Sequence, residues 1–112
     1  MKRWFSGCAA QQRIPGYRYM EDCLNRFDPN VFASVSSAIS DLDTTSGLPS
    51  LSMPRIVIAT KDDPGVPTAT SELLARQLGV EPQWIGPAQH LVTLEHPDIF
   101  NRIIREFLSQ IS

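Results

Sequence analysis

The amino-acid sequence predicts an α/β fold, with a helical amino-terminal half, a minimal parallel βαβ unit and a carboxyl-terminal helix. Three observations support this prediction. Apolar residues recur at helical spacing through the first half of the chain. The apolar run Ile56–Ala59 follows Pro54 and precedes polar turn residues, which is typical of a strand buried on both faces. A second short strand, Gln83–Ile85, follows after one helical segment, and strands connected in this way are parallel.

Length and composition limit the classes of protein to consider. A chain of 112 residues is one domain or part of a larger one. The formal net charge of -2 argues against general nucleic-acid binding, which needs a basic face. No apolar run approaches the ~20 residues of a membrane helix, and the basic start Met1–Phe5 lacks the apolar middle of a signal peptide. We therefore expect a cytoplasmic protein that binds neither nucleic acid nor membrane.

The two cysteines, Cys8 and Cys23, are too few for a metal site or a disulfide framework. We expect both to be reduced thiols, with a bridge between them as the alternative. The sequence predicts no metal and no cofactor.

Two amphipathic helices are predicted before the first strand, after an opening segment that is either a short helix or an irregular arm. The first spans Tyr17–Phe27 and has apolar residues spaced by 3, 4 and 3 positions. Asp28 and Pro29 start the second helix as N-cap and first helical residue. Its apolar face contains Val31, Phe32, Val35, Ala38, Ile39 and Leu42. The segment Leu48–Pro54 is predicted to approach the strand in extended form.

The second half contains two predicted helices. The first spans Thr68–Leu78 and ends at Gly79, a C-terminal cap residue. The last follows Pro97, and Glu95 is expected to cap its amino-terminal end. Its wide buried face contains Ile99, Phe100, Ile103, Ile104, Phe107, Leu108 and Ile111.

Charged residues follow the first strand abruptly, as Lys61, Asp62 and Asp63 before Pro64. In open α/β sheets, sites form at the carboxyl ends of strands, so this aspartate pair is a candidate for chemistry. The alternative is a polar turn in which aspartate caps and proline bends the chain.

Several motifs in the second half resemble a known family. The Asp-Asp-Pro-x-x-Pro turn at 62–67, the Gly-Pro-Ala-Gln-His-Leu loop at 86–91 and the final helix are similar to the carboxyl-terminal part of α/β-hydrolases. Within that superfamily they resemble the 3-oxoadipate enol-lactonase type of ester and lactone hydrolases. The resemblance implies that residues 1–47 are part of a helical cap and residues 48–112 a fragment of the hydrolase core.

By position, the resemblance assigns Asp63 as the acid of a catalytic triad and His90 as its general base. In such a triad the histidine takes a proton from a serine, and the carboxylate orients and stabilises the imidazole. Asp62 is a weaker rival for the acid, since the family's acid directly precedes the Pro-x-x-Pro turn. His96 has no such support and is interpreted as a surface residue.

The sequence also departs from the family. No serine stands in a Gly-x-Ser-x-Gly elbow, and neither Cys8 nor Cys23 has such surroundings. One hypothesis is a truncated or split hydrolase, inactive unless a complementing chain supplies the nucleophile. The alternative is a non-catalytic, oligomerising α/β module.

The chain is expected to form a homodimer. The outer edge of the first strand has no predicted partner, and unpaired edges attract another chain. The two copies are expected to join through this edge, or through the apolar sides of the amino-terminal helices around Trp4, Phe27 and Phe32.

Overall fold

The computed structural model describes residues 1–111, so Ser112, the last residue of the predicted core fragment, lies outside the described residues. The chain combines helices with one small sheet. Its elements in order are α1 Gly7–Gln12, α2 Pro15–Asn25, α3 Pro29–Ser40, a 3-10 helix Thr45–Ser50, β1 Val57–Ala59, α4 Thr68–Leu78, β2 Pro82–Trp84, α5 Val92–Glu95 and α6 Pro97–Ser109.

The sheet consists of β1 and β2, which pair in parallel, with Val57 opposite Pro82 and Ala59 opposite Trp84. Helix α4 connects them, so the predicted βαβ unit is confirmed. Both strands differ slightly from the prediction: β1 lacks Ile56, and β2 lies one residue earlier than Gln83–Ile85.

The core forms two layers, one on each face of the sheet. On one face Val57 packs with Ala75 and Leu78 of α4. On the other, Ile58 packs against a cluster of Ile85, Ala88 and Val92, which Phe100 and Ile103 of α6 also cover. Successive strand residues point to opposite faces, which explains why Val57 and Ile58 belong to different layers.

Helix ends follow the predicted capping rules at two positions. Asp28 caps α3, its carboxylate accepting from the backbone N–H of Asn30 at 2.8 Å, and Pro29 is the first helical residue. Gly79 ends α4 with φ of +67°, a left-handed conformation that glycine adopts without a steric penalty.

The predicted extended approach over Leu48–Pro54 is wrong in its first part. The chain there forms the 3-10 helix, stabilised by the Ser50 hydroxyl, which donates to Gly47 O at 2.8 Å. This coil lets Leu48 and Leu51 pack against the cluster around Val57. Burial of two leucines therefore outweighs the extended preference that the prolines suggested.

The amino-terminal helices differ in how they are covered. Phe5 is 2% exposed and meets Tyr17 of α2 edge to face, with ring centroids 5.4 Å apart, and α2 packs against α5. Helix α3 has no buried residue. The radius of gyration is 15.8 Å, whereas a compact domain of this length has about 13 Å.

Among residues 1–111, no helix is both long enough and apolar enough to cross a membrane.

Candidate functional site

The candidate site lies where β1 and β2 end. Asp63 follows β1 and His90 follows β2, and parallel pairing brings both carboxyl ends to the same edge of the sheet. The Nδ1 atom of His90 lies 2.8 Å from Oδ2 of Asp63, although 27 positions separate the residues. The contact predicted from the sequence is therefore present. The catalytic role of the two residues stays a prediction.

Asp63 is firmly held. Its Oδ1 accepts from the backbone N–H groups of Gly65 at 2.6 Å and Val66 at 3.1 Å, while Oδ2 meets the imidazole. Burial alone would raise the pKa of this carboxyl group. Hydrogen bonds from His90, Gly65 and Val66, together with the charge of His90, outweigh burial and hold the pKa below its ordinary value. Asp63 is thus an anion that needs a cationic or hydrogen-donating neighbour.

This environment decides which imidazole nitrogen is available. A carboxylate only accepts hydrogen bonds, so Nδ1 of His90 carries the proton and donates it to Asp63. In the neutral ring Nε2 then has a free lone pair, and the side chain of His90 is 45% exposed, against 9% for Asp63. The arrangement can therefore accept a proton from a group that approaches from solvent.

A cavity of about 540 Å³ adjoins His90. Its other lining residues are Met1, Lys2, Arg3, Trp4, Phe32 and Gly65. Aromatic side chains beside cationic ones are a lining typical of sites for small organic molecules with polar groups.

The loop that holds His90, residues 86–91, is fixed to the sheet. The buried hydroxyl of Thr60 donates to Ala88 O at 2.8 Å, and Ile85 N donates to Ala59 O at 2.9 Å. The first bond connects the residue after β1 directly to the histidine loop, and the second holds the residue just before that loop against the end of β1. They hold the loop next to the turn that contains Asp63.

The amino-terminal arm, Met1–Ser6, holds the histidine loop from the other side. Leu91 N donates to Trp4 O at 2.9 Å. With its nitrogen facing the arm, the side-chain amide of Gln89 donates to Phe5 O and Lys2 O, both at 2.9 Å. Both neighbours of His90 in the sequence are therefore bonded to the arm.

Glu95 does not cap the last helix, contrary to the prediction. Helix α6 begins after His96 without a side-chain cap. The carboxylate of Glu95 instead accepts from Ser6, through both its backbone N–H and its hydroxyl, and from Gln89 N at 3.2 Å. No local sequence pattern indicates this role, since Ser6 and Glu95 are 89 positions apart.

The remaining candidates lie outside the Asp63–His90 pair. Asp62 is exposed and lines a separate depression with Lys61 and Trp84. His96 is partly exposed, and its Nε2 lies 2.7 Å from Pro87 O, so it supports the histidine loop.

Within residues 1–111, no serine hydroxyl or cysteine thiol forms a hydrogen bond with His90. Cys8 and Cys23 are both free thiols. The same described part of the chain has no group of three histidine, cysteine, aspartate or glutamate side chains that could hold a metal ion.

Comparison with known proteins found no matching family model, no matching curated protein and no matching solved structure.

Proposed function

We propose that Asp63 and His90 are the acid and base of a serine-hydrolase triad, and that this chain is the carboxyl-terminal part of an α/β-hydrolase. The proposed substrates are carboxylic esters or lactones, as in the 3-oxoadipate enol-lactonase type that the sequence resembles. The observation that supports this proposal most is the 2.8 Å contact between His90 Nδ1 and Asp63 Oδ2 at the ends of two parallel strands.

In the proposed reaction, Nε2 of His90 takes the proton of a serine hydroxyl while that oxygen attacks the substrate carbonyl. The imidazolium that forms is stabilised by Asp63, and it returns the proton to the departing alkoxide. Water then repeats the sequence at the acyl-enzyme, and His90 again takes and returns one proton. For a lactone, the departing alkoxide remains attached to the product.

The nucleophile is proposed to come from outside these 112 residues. None of the serines here lies in a Gly-x-Ser-x-Gly elbow, and Cys8 and Cys23 lack one too. A complementing chain or segment would supply the serine and the oxyanion-hole donors. The isolated chain is therefore expected to be inactive.

The first test is hydrolysis of p-nitrophenyl acetate by the purified chain. Loss of one oxyanion donor alone costs about a hundredfold or more in rate, so a chain without nucleophile and donors should match the buffer blank. A His90→Ala variant should give the same background. Turnover that disappears in His90→Ala would contradict the expected inactivity and indicate a nucleophile within this chain.

The second test asks whether a partner restores activity. If the DNA before the Met1 codon encodes a Gly-x-Ser-x-Gly segment, its product should restore ester hydrolysis when co-expressed with this chain. Asp63→Asn should remove the restored activity, whereas the matched control Asp62→Asn should keep it. Absence of such a segment, with no turnover in cell extracts dependent on His90, would favour the non-catalytic module.

A further inference from the structure

Helix α3 carries a wide apolar face that the rest of the described chain leaves uncovered. Five large apolar side chains on this helix or at its end are about half exposed or more: Val31 50%, Phe32 47%, Val35 50%, Ile39 64% and Leu42 69%. Exposed apolar patches of this kind are uncommon on monomeric proteins and mark contact surfaces. The face is independent of the Asp63–His90 pair, except that Phe32 also borders the cavity beside His90.

The pattern of this face is self-complementary about Val35. At 100° per residue, Val35 lies in the middle of the apolar stripe and close to the middle of the helix. If a second copy packs antiparallel with a two-fold axis at Val35, Val31 of one copy meets Ile39 of the other.

The charges at the two ends of the helix favour the same antiparallel orientation. Helix α3 itself contains no charged residue. Arg26 and the N-cap Asp28 precede it, whereas Asp41 and Asp43 follow it, and all four are exposed. In an antiparallel pair the acidic carboxyl-terminal end of one copy approaches the end of the other that carries both Arg26 and Asp28, while a parallel pair would place the two acidic ends together.

We propose that the apolar face of α3 is the contact surface of a two-fold homodimer, with Val35 of both copies at the axis. Covering both faces removes on the order of 1,000 Å² from water, which is at the lower end for specific interfaces. Such an area predicts a dimer that dissociates on dilution. Of the two routes to a dimer that the sequence indicated, the helices and not the edge of β1 then form the contact.

The experiment is sedimentation velocity over a dilution series of the full chain. The wild type should sediment at about twice 12.5 kDa at high concentration and as a monomer on dilution. Val35→Asp should weaken association by more than about tenfold, because two carboxylates would meet in an apolar contact. The matched control Ser37→Asp, on the opposite side of α3, should dimerise as the wild type does.

Crosslinking provides a second measurement that does not depend on the stability of Val35→Asp. In a Cys8→Ser, Cys23→Ser background, Val35→Cys should form a covalent dimer with a short bismaleimide, and Ser37→Cys should not. A wild type that stays monomeric at all concentrations overturns the proposal. The proposal is also overturned if the chain dimerises but Val35→Asp does not weaken the dimer and Val35→Cys does not crosslink it. Such a dimer would use another surface, such as the edge of β1.

Discussion

Helices α3 and α4 have nearly the same length, 12 and 11 residues, yet only α4 is packed. Ala75 and Leu78 of α4 are 1% and 8% exposed, whereas no residue of α3 is buried. The difference lies in connectivity, since α4 joins two parallel strands and must fold back onto their sheet. The apolar stripe of a helix therefore indicates which side tends to be buried. The path of the chain decides whether another element packs against that side.

The largest expected effect comes from comparing an isoleucine-to-alanine substitution in the packed core with the same substitution on α3. Ile85→Ala removes a side chain that is 2% exposed between the sheet and α6 and should destabilise the fold by about 3 kcal/mol, because it leaves a cavity. Ile39→Ala on α3 should cost less than about 0.5 kcal/mol. Urea unfolding at a concentration where the chain is monomeric measures both. Equal losses would mean that α3 is packed in solution.

The next effect concerns the Asp63 turn in the packed half. Asp63→Asn should lower the free energy of unfolding at neutral pH by about 2 kcal/mol, since bonds to a charged acceptor are lost. Asp62→Asn, at an exposed position, should change it little.

The pH dependence of that loss follows from the lowered pKa of folded Asp63. Its stabilisation is fully present above the unfolded-state pKa of about 4 and disappears as the pH falls through the lower folded value. The gap between wild type and Asp63→Asn should therefore close on acidification. A gap that stays constant down to pH 2 would show that the carboxylate charge is not what stabilises the turn.

Glu95 connects the amino-terminal arm to the histidine loop, and its removal should have a similar or smaller effect. Glu95→Ala should cost about 1 to 2 kcal/mol, because Ser6 N and Gln89 N lose their acceptor. Amide hydrogen exchange should quicken at Gln89 and Leu91. Glu106→Ala, at an exposed position of α6, is the control, and unchanged exchange in Glu95→Ala would mean that the arm is held by other contacts.

The smallest effect compares two glycines near the packed helix α4 that differ in backbone conformation. Gly79→Ala should destabilise by about 1 kcal/mol, because its φ of +67° is unfavourable for alanine although the space around it is open. Gly47, in the 3-10 helix, also has open space but no positive φ, so Gly47→Ala should be neutral or slightly stabilising. Thermal unfolding distinguishes the pair, and equal shifts would refute the backbone explanation.

Local patterns were sufficient for much of the fold, whereas the family resemblance was needed to select Asp63 and His90. The spacing of apolar residues predicted α2, α3, α4 and α6, but the prediction of a wide buried face on α6 is wrong, because none of its residues is fully buried. Capping by Asp28 and Gly79 also follows from residue type alone. The physical reason is that these features depend on neighbours a few positions apart or on a single crossover.

Interactions between distant segments could not be predicted in the same way. The pairing of Glu95 with Ser6 depends on how the arm returns to the histidine loop, and a glutamate before a helix more simply suggests a cap. The 3-10 helix depends on a cluster that Leu48 and Leu51 reach only in the folded chain. The hydrolase assignment of the Asp63–His90 pair stays a proposal, since its chemistry needs a nucleophile.

The position of the amino-terminal arm at the cavity gives the protein an internal fluorescent reporter. Trp4 lines the cavity beside His90, while the second tryptophan, Trp84, lies elsewhere, with the ammonium of Lys61 5.6 Å from its ring. A Trp84→Phe variant would leave Trp4 as the sole indole, and a molecule entering the cavity would change its emission. An affinity tag joined to Met1 would emerge beside this reporter, so the purification handle is better placed at the carboxyl terminus.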